Sequence, residues 1–280
     1  MLKKVVIKVD ENILQKNILR GGSGLLDDLR EHSVEIAVGT EGELPDKDIT
    51  STLYITDSEE KYRVLRQEGC YVLPYRHAGN AEADFTRAIY VLEQIEEADY
   101  ETIDMAYRRL AGLPWEILTT ERCVIRETTV EDVEAFYRIY AEKSITEYME
   151  NLLEDPEEEA AYTKDYIERV YGFYGYGMWT VLEKESGQVI GRVGISWREG
   201  FHLPELGFVI GVPWQKQGYA YEVCSAVLAY AREELGMAQV QALVMEGNEK
   251  SAALCERLGF VERDECVKLD GEMYRVWIRE

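Results

Sequence analysis

The chain has 280 residues, and hydrophobic residues make up 46% of them, which is enough to form packed cores and excludes a globally disordered protein. It carries 31 basic and 54 acidic residues, so its formal net charge is −23. Such an acidic surface repels nucleic acid phosphates and anionic lipids, and the length predicts two domains.

The cysteines and histidines exclude two further classes of protein. The chain has five cysteines and no CxxC pair, so neither a disulfide framework nor a zinc knuckle is predicted. The three histidines lie far apart in the sequence, which gives no metal-ligand spacing. No apolar run is long enough to span a membrane, and the N-terminus lacks a long apolar segment. We therefore expect a soluble, reduced, cytoplasmic protein with no metal, nucleic acid or membrane partner.

The first half of the chain alternates short apolar strands with helices. Gly21–Gly24 and Gly39–Thr40 are predicted loops, while Asp57-Ser58 has the residue types of a helix cap. Residues from Phe85 to Ala111 are predicted to be largely helical, with a break near Asp99. Alternating strands and helices favour a small Rossmann-like parallel sheet. Its four predicted strands centre on residues 5–9, 34–38, 53–56 and 70–73.

Polar residues at two of these strand ends resemble a known family. Thr40 and the Thr56-Asp57-Ser58 segment are similar to the strand-end hydroxyl and the later acidic loop of capless HAD-like Rossmannoid domains. That family places a nucleophilic aspartate at its first strand end and a second acid two residues later, where this chain has Lys8-Val9-Asp10. Lysine cannot form the aspartyl phosphate or bind magnesium, and Lys61 replaces another acid of the later loop. The resemblance therefore implies a degenerate HAD-like domain with a structural or regulatory role.

A break in the pattern separates the two halves. Gly112-Leu113-Pro114-Trp115 ends the preceding helix, and the residues up to Thr120 form a predicted short linker. We expect one domain over residues 1–118 and another over residues 119–280. In the second, a strand and two helices precede a three-stranded meander, which is followed by a helix, a strand, a helix and a C-terminal hairpin.

One segment of the second half has the pattern of a strand, a tight loop and a helix. Phe208–Val212 is an apolar run, and Pro213 must end that strand because proline has no N–H to donate to a sheet. The polar loop Gln215–Ala220 follows and leads into an amphipathic helix. The first N–H groups of a helix have no intrahelical partner, and Gly218 and Ala220 let a phosphate approach the backbone. The alternative is a plain strand-to-helix turn, and the spacing fits neither a Walker loop nor a dinucleotide fingerprint.

This loop and a later segment resemble two motifs of the GNAT acetyltransferases. Residues 215–220, QKQGYA, match the family's Gln/Arg-x-x-Gly-x-Gly/Ala loop. Residues 248–260, NEKSAALCERLGF, are similar to its Asn-x-x-Ser…Leu-Tyr-x-x-x-Gly-Phe element. Residues 125–132, IRETTVED, are typical of the start of the domain. The branch that acetylates the N-termini of ribosomal proteins is the most similar, through the segments at residues 205–208 and 218–222.

The resemblance implies the fold, the cosubstrate and the residues that bind it. GNAT domains have a mixed central sheet that splays open, and the amides of the loop hold the pyrophosphate of acetyl-CoA. Backbone amides of the splayed strand can polarise the thioester carbonyl. Carried onto this chain, the resemblance implies that acetyl-CoA is bound by Val209, Ile210, Gly211, Val212, Gln215, Lys216, Gln217, Gly218, Tyr219, Ala220, Asn248 and Ser251.

Acetyl transfer to an amine also needs a base that takes the proton of the amine. Glu205 is the candidate base, because it lies near the start of the strand that reaches the cosubstrate; an ordinary strand glutamate is the alternative. Many family members carry a tyrosine as general acid where this chain has Cys255, so Cys255 is the candidate acid, with packing as the alternative. The acceptor site is predicted to include Trp197, Arg198, His202 and Tyr274.

Three functions compete at this stage. The first is an acetyl-CoA-dependent N-acetyltransferase that moves an acetyl group to a primary amine of a small molecule, peptide or protein by direct attack on the thioester. The acidic surface is compatible with a cationic acceptor. The second is a non-catalytic acyl-CoA-binding sensor or regulatory protein. The third is a phosphohydrolase that uses the first half, against which Lys8 argues.

Overall fold

A computed structural model describes residues 1–19, 24–38 and 49–280, and the chain divides into two compact units, Met1–Trp115 and Glu116–Glu280. Most of the predicted glycine-rich loop, Gly21 to Ser23, lies outside the described residues. The same holds for the predicted strand end Gly39–Thr40, so the HAD-like position of Thr40 is not described.

The first unit is built on a parallel sheet of four described strands. The strands follow the order β2-β1-β3-β4, and each neighbouring pair is parallel. The central strands are apolar, because a parallel sheet is covered on both faces. Their bounds are β1 (Lys4–Lys8), β2 (Glu35–Val38), β3 (Thr52–Thr56) and β4 (Tyr71–Pro74).

Helices cover this sheet through their apolar stripes. Leu25 and Leu29 enter the same buried cluster as Val5 and Ile7 of β1, whereas Tyr62 packs into a second cluster with Val6. Alternate residues of β1 thus contribute to two cores on opposite faces. The described helices are α1 (Glu11–Ile13), which continues into a π-helix (Leu14–Leu19), α2 (Leu25–Glu31), α3 (Glu59–Gln67) and α4 (Tyr100–Ala111).

The prediction of helix from Phe85 to Ala111 is wrong for its first half. Only α4 is helical there, and residues 85–99 form turns and one isolated bridge between Leu92 and Tyr75. Phe85 packs against Tyr62 of α3 although its own segment is not helical, because the segment runs along the sheet edge and pairs its backbone at Leu92. Asp99 then caps α4 by accepting a hydrogen bond from the Thr102 N–H at 2.8 Å, which explains the predicted break.

The second unit is built on a mixed sheet of eight strands. The order is β11-β12-β10-β9-β8-β7-β6-β5, and all neighbouring pairs are antiparallel except β9 and β10, which are parallel. The strands are β5 (Glu116–Thr119), β6 (Cys123–Arg126), β7 (Met178–Glu183), β8 (Val189–Ser196), β9 (Glu205–Ile210), β10 (Val240–Met245), β11 (Val261–Leu269) and β12 (Glu272–Arg279).

The prediction of a linker up to Thr120 is wrong, because β5 occupies most of it. Ile117 and Leu118 pack against the core of the second unit, and Leu118 pairs with Ile125 of β6. Edge pairing and apolar burial hold these residues in the sheet, so the second unit begins at Glu116.

Helices lie on both faces of this sheet. Leu206 and Ile210 of β9 share a core with Val223 and Val227, whereas Val209 joins Phe136 in a separate cluster. The helices are α5 (Val133–Tyr140), α6 (Lys143–Thr146), α7 (Pro156–Tyr166), α8 (Gly172–Tyr174), α9 (Tyr219–Glu233) and α10 (Glu249–Arg257), with 3₁₀ turns at Val130–Asp132 and Val212–Trp214 and a π-helix at Ile167–Tyr171.

Candidate active site

The loop that joins β9 to α9 adopts a conformation that glycine makes possible. Gly218 is the N-cap of α9 and has φ = 88°, and Lys216 also lies in the left-handed region, with φ = 61°. A non-glycine residue rarely takes that conformation, and such strain collects at functional sites. Gly211 fits under the Trp214 ring, to which a Cβ atom would come within 3.2 Å. The turn is therefore tight at both of its ends.

The first amide groups of α9 are available to a ligand. The Glu222 N–H donates to the Gly218 carbonyl at 3.0 Å, which is the first bond of the helix. The N–H groups of Tyr219, Ala220 and Tyr221 precede that bond, and no group in the described parts of the chain accepts from them. Unpartnered N–H groups and the positive end of the helix dipole favour an anion here.

Arg122 holds this loop from a distant part of the sequence. Its Nε donates to Glu222 Oε2 at 2.7 Å, and one of its terminal nitrogens donates to the Gln217 carbonyl at 3.0 Å. Its guanidinium lies 4.0 Å from the centre of the Tyr219 ring, and its hydrogen bond to Glu222 raises the pKa of Arg122. Because the side chain is 38% exposed, its positive charge also contributes to the anion-binding character of the loop.

Glu222 is the centre of this network. Thr120 Oγ1 donates to Glu222 Oε1 at 2.6 Å, and the backbone N–H of Arg122 donates to the same oxygen at 2.8 Å. Burial alone would raise the pKa of Glu222, but these hydrogen bonds and the Arg122 guanidinium outweigh it and lower that pKa. The charged carboxylate therefore ties the turn before β6 to the first turn of α9.

Strands β9 and β10 diverge from a single point of contact. They pair at one position, Glu205 with Gln241, where the Gln241 N–H donates to the Pro204 carbonyl at 2.8 Å. At the other end of β9, the Gly211 N–H donates to Ile190 of β8. Because backbone groups alternate along a strand, those of Phe208 and Ile210 point to the side of β10. The gap between the two strands thus widens toward the loop at the start of α9.

Glu205 lies at the closed end of this gap and is held by Arg198. Arg198 Nε donates to Glu205 Oε2 at 2.7 Å, and a terminal nitrogen lies 3.5 Å from Oε1. The Glu205 side chain is only 11% exposed. Burial alone would lower the pKa of Arg198, but the hydrogen bond and the charge of Glu205 raise it. A strand of this length places Glu205 about 17 Å from the last residue of β9.

A family model identifies this architecture. Residues 122–261, half of the chain, match the model described as "Acetyltransferase (GNAT) domain". The chain belongs to the GNAT acetyltransferase family. The predicted family, fold class and N-acetyltransferase class are thereby confirmed, and acetyl transfer is the chemistry of this GNAT chain.

Individual relatives agree with this membership. The chain is 27% identical over 147 residues to the uncharacterized N-acetyltransferase YoaA of Bacillus subtilis, which covers 51% of this chain and 82% of that protein. It is 34% identical over 90 residues to the [ribosomal protein uS5]-alanine N-acetyltransferase of Escherichia coli, covering 31% of this chain and 44% of that one. An acetyltransferase structure from Agrobacterium tumefaciens superposes with a TM-score of 0.50 and 26% identity, covering 58% and 93% of the two chains.

Several residues predicted to bind the cosubstrate have structural partners in this GNAT chain. The Gln215 side-chain amide donates to the Ile210 carbonyl at 2.9 Å, which ties the loop back to the end of β9. The Gln217 side chain similarly donates to the Pro213 carbonyl at 2.7 Å. Asn248 caps α10 by accepting from the Ser251 N–H at 3.2 Å. These side chains shape the loop and the helix start, and their roles toward a ligand stay predictions.

Cys255 lies in the core of the second unit. Its side chain is fully buried, in the same cluster as Cys224 of α9. Burial raises the pKa of the Cys255 thiol to about 12, although Arg275 opposes the shift. A thiol with so high a pKa is a poor proton donor near neutral pH, so the geometry favours the packing interpretation over the acid role.

The residues predicted for the acceptor site do not all come together. Arg198 and Tyr274 interact electrostatically: burial raises the pKa of Tyr274, and the charge of Arg198 opposes that shift. Trp197 is half-exposed and donates from Nε1 to the Tyr176 hydroxyl at 2.6 Å. His202 is exposed and makes no side-chain hydrogen bond to any described residue. Sequence reasoning did not predict the roles of Thr120 and Arg122, because their partner Glu222 is about 100 residues away.

The strand ends of the first unit carry a polar cluster of their own. Asp57 Oδ2 accepts from the Asp10 N–H at 2.9 Å and lies 3.3 Å from His77 Nε2. His77 Nδ1 accepts from the Gly79 N–H, and the Asn80 amide donates to the carbonyls of Asp57 and Tyr75. These groups partner one another, as expected of a structural network. The resemblance to HAD-like domains stays a prediction.

Neither a cluster of metal-ligating side chains nor a membrane-spanning helix occurs among the described residues. Among them, no group of histidine, cysteine and acidic side chains could hold a metal ion. None of their helices combines the length and the apolar character that crossing a membrane requires.

Proposed function

We propose that this GNAT chain uses acetyl-CoA as its cosubstrate and transfers the acetyl group to a primary amine that attacks the thioester directly. The observation that carries the proposal is the set of unpartnered N–H groups at Tyr219, Ala220 and Tyr221, beside the Arg122 guanidinium and at the open end of the gap between β9 and β10. A pyrophosphate matches this combination of amides, a helix N-terminus and a guanidinium. Under this proposal residues 116–280 form the acetyltransferase domain.

The proposed binding site is divided between two parts of the chain. The Gln215–Ala220 loop would hold the pyrophosphate through its backbone, while the backbone of Val209 to Val212 would run alongside the remainder of the cosubstrate. Asn248 and Ser251, at the start of α10, are proposed to contact the cosubstrate from the β10 side of the gap. When bound, acetyl-CoA supplies the acetyl group as a thioester.

Glu205 is the proposed base. Its carboxylate is largely buried, and its hydrogen bonds with Arg198 fix its orientation. A fixed carboxylate at the closed end of the gap can accept a proton from an ammonium group, directly or through a water molecule. Arg198 is then a positioning residue, since it acts through Glu205.

The proposed acceptor is the amine of a peptide, a protein or a small molecule. One relative is named for acetylating an alanine of ribosomal protein uS5, which favours a polypeptide N-terminus as the first class of acceptor to test. The net charge of −23 favours an acceptor that is cationic overall.

Replacing Gly218 with glutamate tests the proposed cosubstrate site. The variant puts a negative side chain where an anion would bind and forces a non-glycine residue to φ = 88°. We expect calorimetry to show acetyl-CoA affinity reduced more than about tenfold. Gly236→Glu is the matched control, because Gly236 has φ = 65° and no neighbouring atom within 4 Å of the place that a Cβ atom would occupy. Undiminished affinity in a folded Gly218→Glu protein would remove the loop from the site.

A further inference from the structure

Four aromatic side chains of the second unit form a connected and largely exposed surface, here called the aromatic patch: Phe173, Tyr174, Tyr176 and Trp197. The ring centres of Phe173 and Tyr174 are 4.9 Å apart, and those of Tyr174 and Tyr176 are 5.8 Å apart. Trp197 joins them through its hydrogen bond to the Tyr176 hydroxyl. Phe173 is 81% exposed, and Tyr174 and Trp197 are each about half exposed. Adjoining exposed apolar rings are typical of an interaction site.

The core of the second unit uses only part of this aromatic segment. Residues 171–177 read YGFYGYG, and no charged residue occurs between residues 170 and 182, although 30% of the chain is charged. Tyr171 is fully buried and serves the core, whereas Phe173 and Tyr174 lie outside it. Tyrosine and glycine together are the composition of rigid aromatic contact surfaces. Phe173 and Tyr174 therefore present contact area that packing leaves free, whereas Tyr176 also packs against the core.

The aromatic patch adjoins the end of the gap where Glu205 lies. Trp197 directly follows Ser196, the residue of β8 that pairs with Glu205. Tyr176 similarly stands two residues before Met178, where β7 begins beside the end of β8. The loop at the start of α9 follows the opposite end of β9. The patch thus lies on the side from which an acceptor would reach the proposed base.

The charges around the patch favour a cation. The arginines closest to it in sequence, Arg169 and Arg198, are each paired with a carboxylate at 2.7 Å. Glu168 and Glu199, by contrast, are exposed and form no ion pair with any described residue. Aromatic faces carry partial negative charge and attract guanidinium and ammonium groups. The aromatic rings, the unpaired carboxylates and the net acidity of the chain all favour the binding of a cation.

We infer that the aromatic patch binds arginine or lysine side chains of a polypeptide whose amine is acetylated. The inference rests on the proposed acetyl transfer and names the class of its acceptor. A single small amine would cover one ring, whereas four connected rings match the successive side chains of a polypeptide. The patch would hold the chain near its acceptor amine and so determine specificity without taking part in proton transfer.

Binding can be measured without catalysis. Two fluorescent decapeptides with acetylated N-termini, one with arginines and one with citrullines at the same positions, cannot be acetylated at the N-terminus and differ only in charge. Fluorescence anisotropy with the full chain at low salt is expected to show tighter binding of the arginine peptide. Phe173→Leu keeps the apolar contact but removes the aromatic face, so the arginine preference should fall about two- to fivefold. Tyr162→Leu is the control, since Tyr162 is 57% exposed and its ring contacts Tyr166 rather than the patch.

A kinetic measurement separates docking from catalysis. With the same peptides carrying free N-termini, Phe173→Leu should raise KM for the arginine peptide by the same factor and leave kcat unchanged. Equal binding of the two blocked peptides, or a preference that Phe173→Leu does not alter, would overturn the inference and leave the proposed transfer intact. A ring-dependent preference without transfer to any peptide would support the patch and contradict the proposed acceptor.

Discussion

Both units carry polar groups at the carboxyl ends of strands, but these groups are hydrogen-bonded to one another in the first unit and partly unpartnered in the second. In the first unit Asp57, His77 and Asn80 bond to one another and to nearby backbone groups. In the second unit, the N–H groups of Tyr219, Ala220 and Tyr221, which open α9, lack any acceptor among the described residues.

This difference separates a structural cluster from a binding site. A polar group that already has partners gains little from a ligand, whereas an unpartnered amide gains a full hydrogen bond. The second unit also keeps Arg122 and a left-handed Gly218 beside its open amides. We therefore expect substitutions at the strand ends of the second unit to affect acetyl transfer and those of the first unit to affect folding alone.

The largest expected effect is at Glu205. Glu205→Gln keeps the shape of the side chain but removes the base, so kcat should fall about 100-fold or more while the affinity for acetyl-CoA is unchanged. Steady-state kinetics with a saturating cosubstrate measures this loss. Glu185→Gln, in an exposed turn, is the control. A Glu205→Gln enzyme with wild-type kcat would show that the closed end of the gap has no proton-transfer role.

Arg122 is expected to have a smaller effect. Arg122→Gln breaks the links to Glu222 and to the Gln217 carbonyl, so the loop loses both its support and a positive charge. Since the arginine is partly exposed, we expect acetyl-CoA affinity to fall about five- to tenfold, measured by calorimetry. Arg138→Gln removes an exposed helical ion pair with Glu134 and should change nothing. An unchanged affinity in Arg122→Gln would show that the backbone amides bind acetyl-CoA without a contribution from this arginine.

Cys255 should matter for packing only. Cys255→Ala removes a buried sulfur and is expected to cost about 1 kcal/mol of unfolding free energy, with kcat within about threefold of the wild type. Cys255→Tyr should destabilise the core through overpacking. Thermal unfolding and turnover of the two variants measure both effects. A kcat about 100-fold below the wild type in a folded Cys255→Ala protein would instead support the thiol as general acid.

The first unit should hydrolyse no phosphate ester. The predicted resemblance to HAD-like domains would put Lys8 at the nucleophile position, and Asp57 is engaged by Asp10 and His77, so no turnover of p-nitrophenyl phosphate with magnesium is expected from the full chain. The decisive contrary result is measurable hydrolysis that disappears in Asp10→Asn, which would make the polar cluster catalytic rather than structural.

The sequence alone predicted much of the local backbone structure around the candidate site. β9 ends at Ile210, two residues before the predicted end at Val212, and Pro213 lies in the 3₁₀ turn that follows. Gly218 permits the left-handed turn, and the apolar periodicity after it predicts α9. Each of these depends on a few neighbouring residues, whose backbone preferences are fixed by their own covalent structure. Most strands and helices of the second half were predicted for the same reason, whereas the GNAT membership was predicted from the resemblance of residues 215–220 and 248–260 to two motifs of the family.

Only the tertiary structure decided which distant groups meet. The pairing of Arg122 with Glu222 and the single contact between β9 and β10 depend on the order and register of strands far apart in the sequence. For the same reason, β5 forms where a linker was predicted, and residues 85–99 form turns where a helix was predicted. Local propensity contributes little free energy compared with the burial of apolar side chains and the pairing of sheet edges. Which residues are buried or paired depends on segments that only the folded chain brings together.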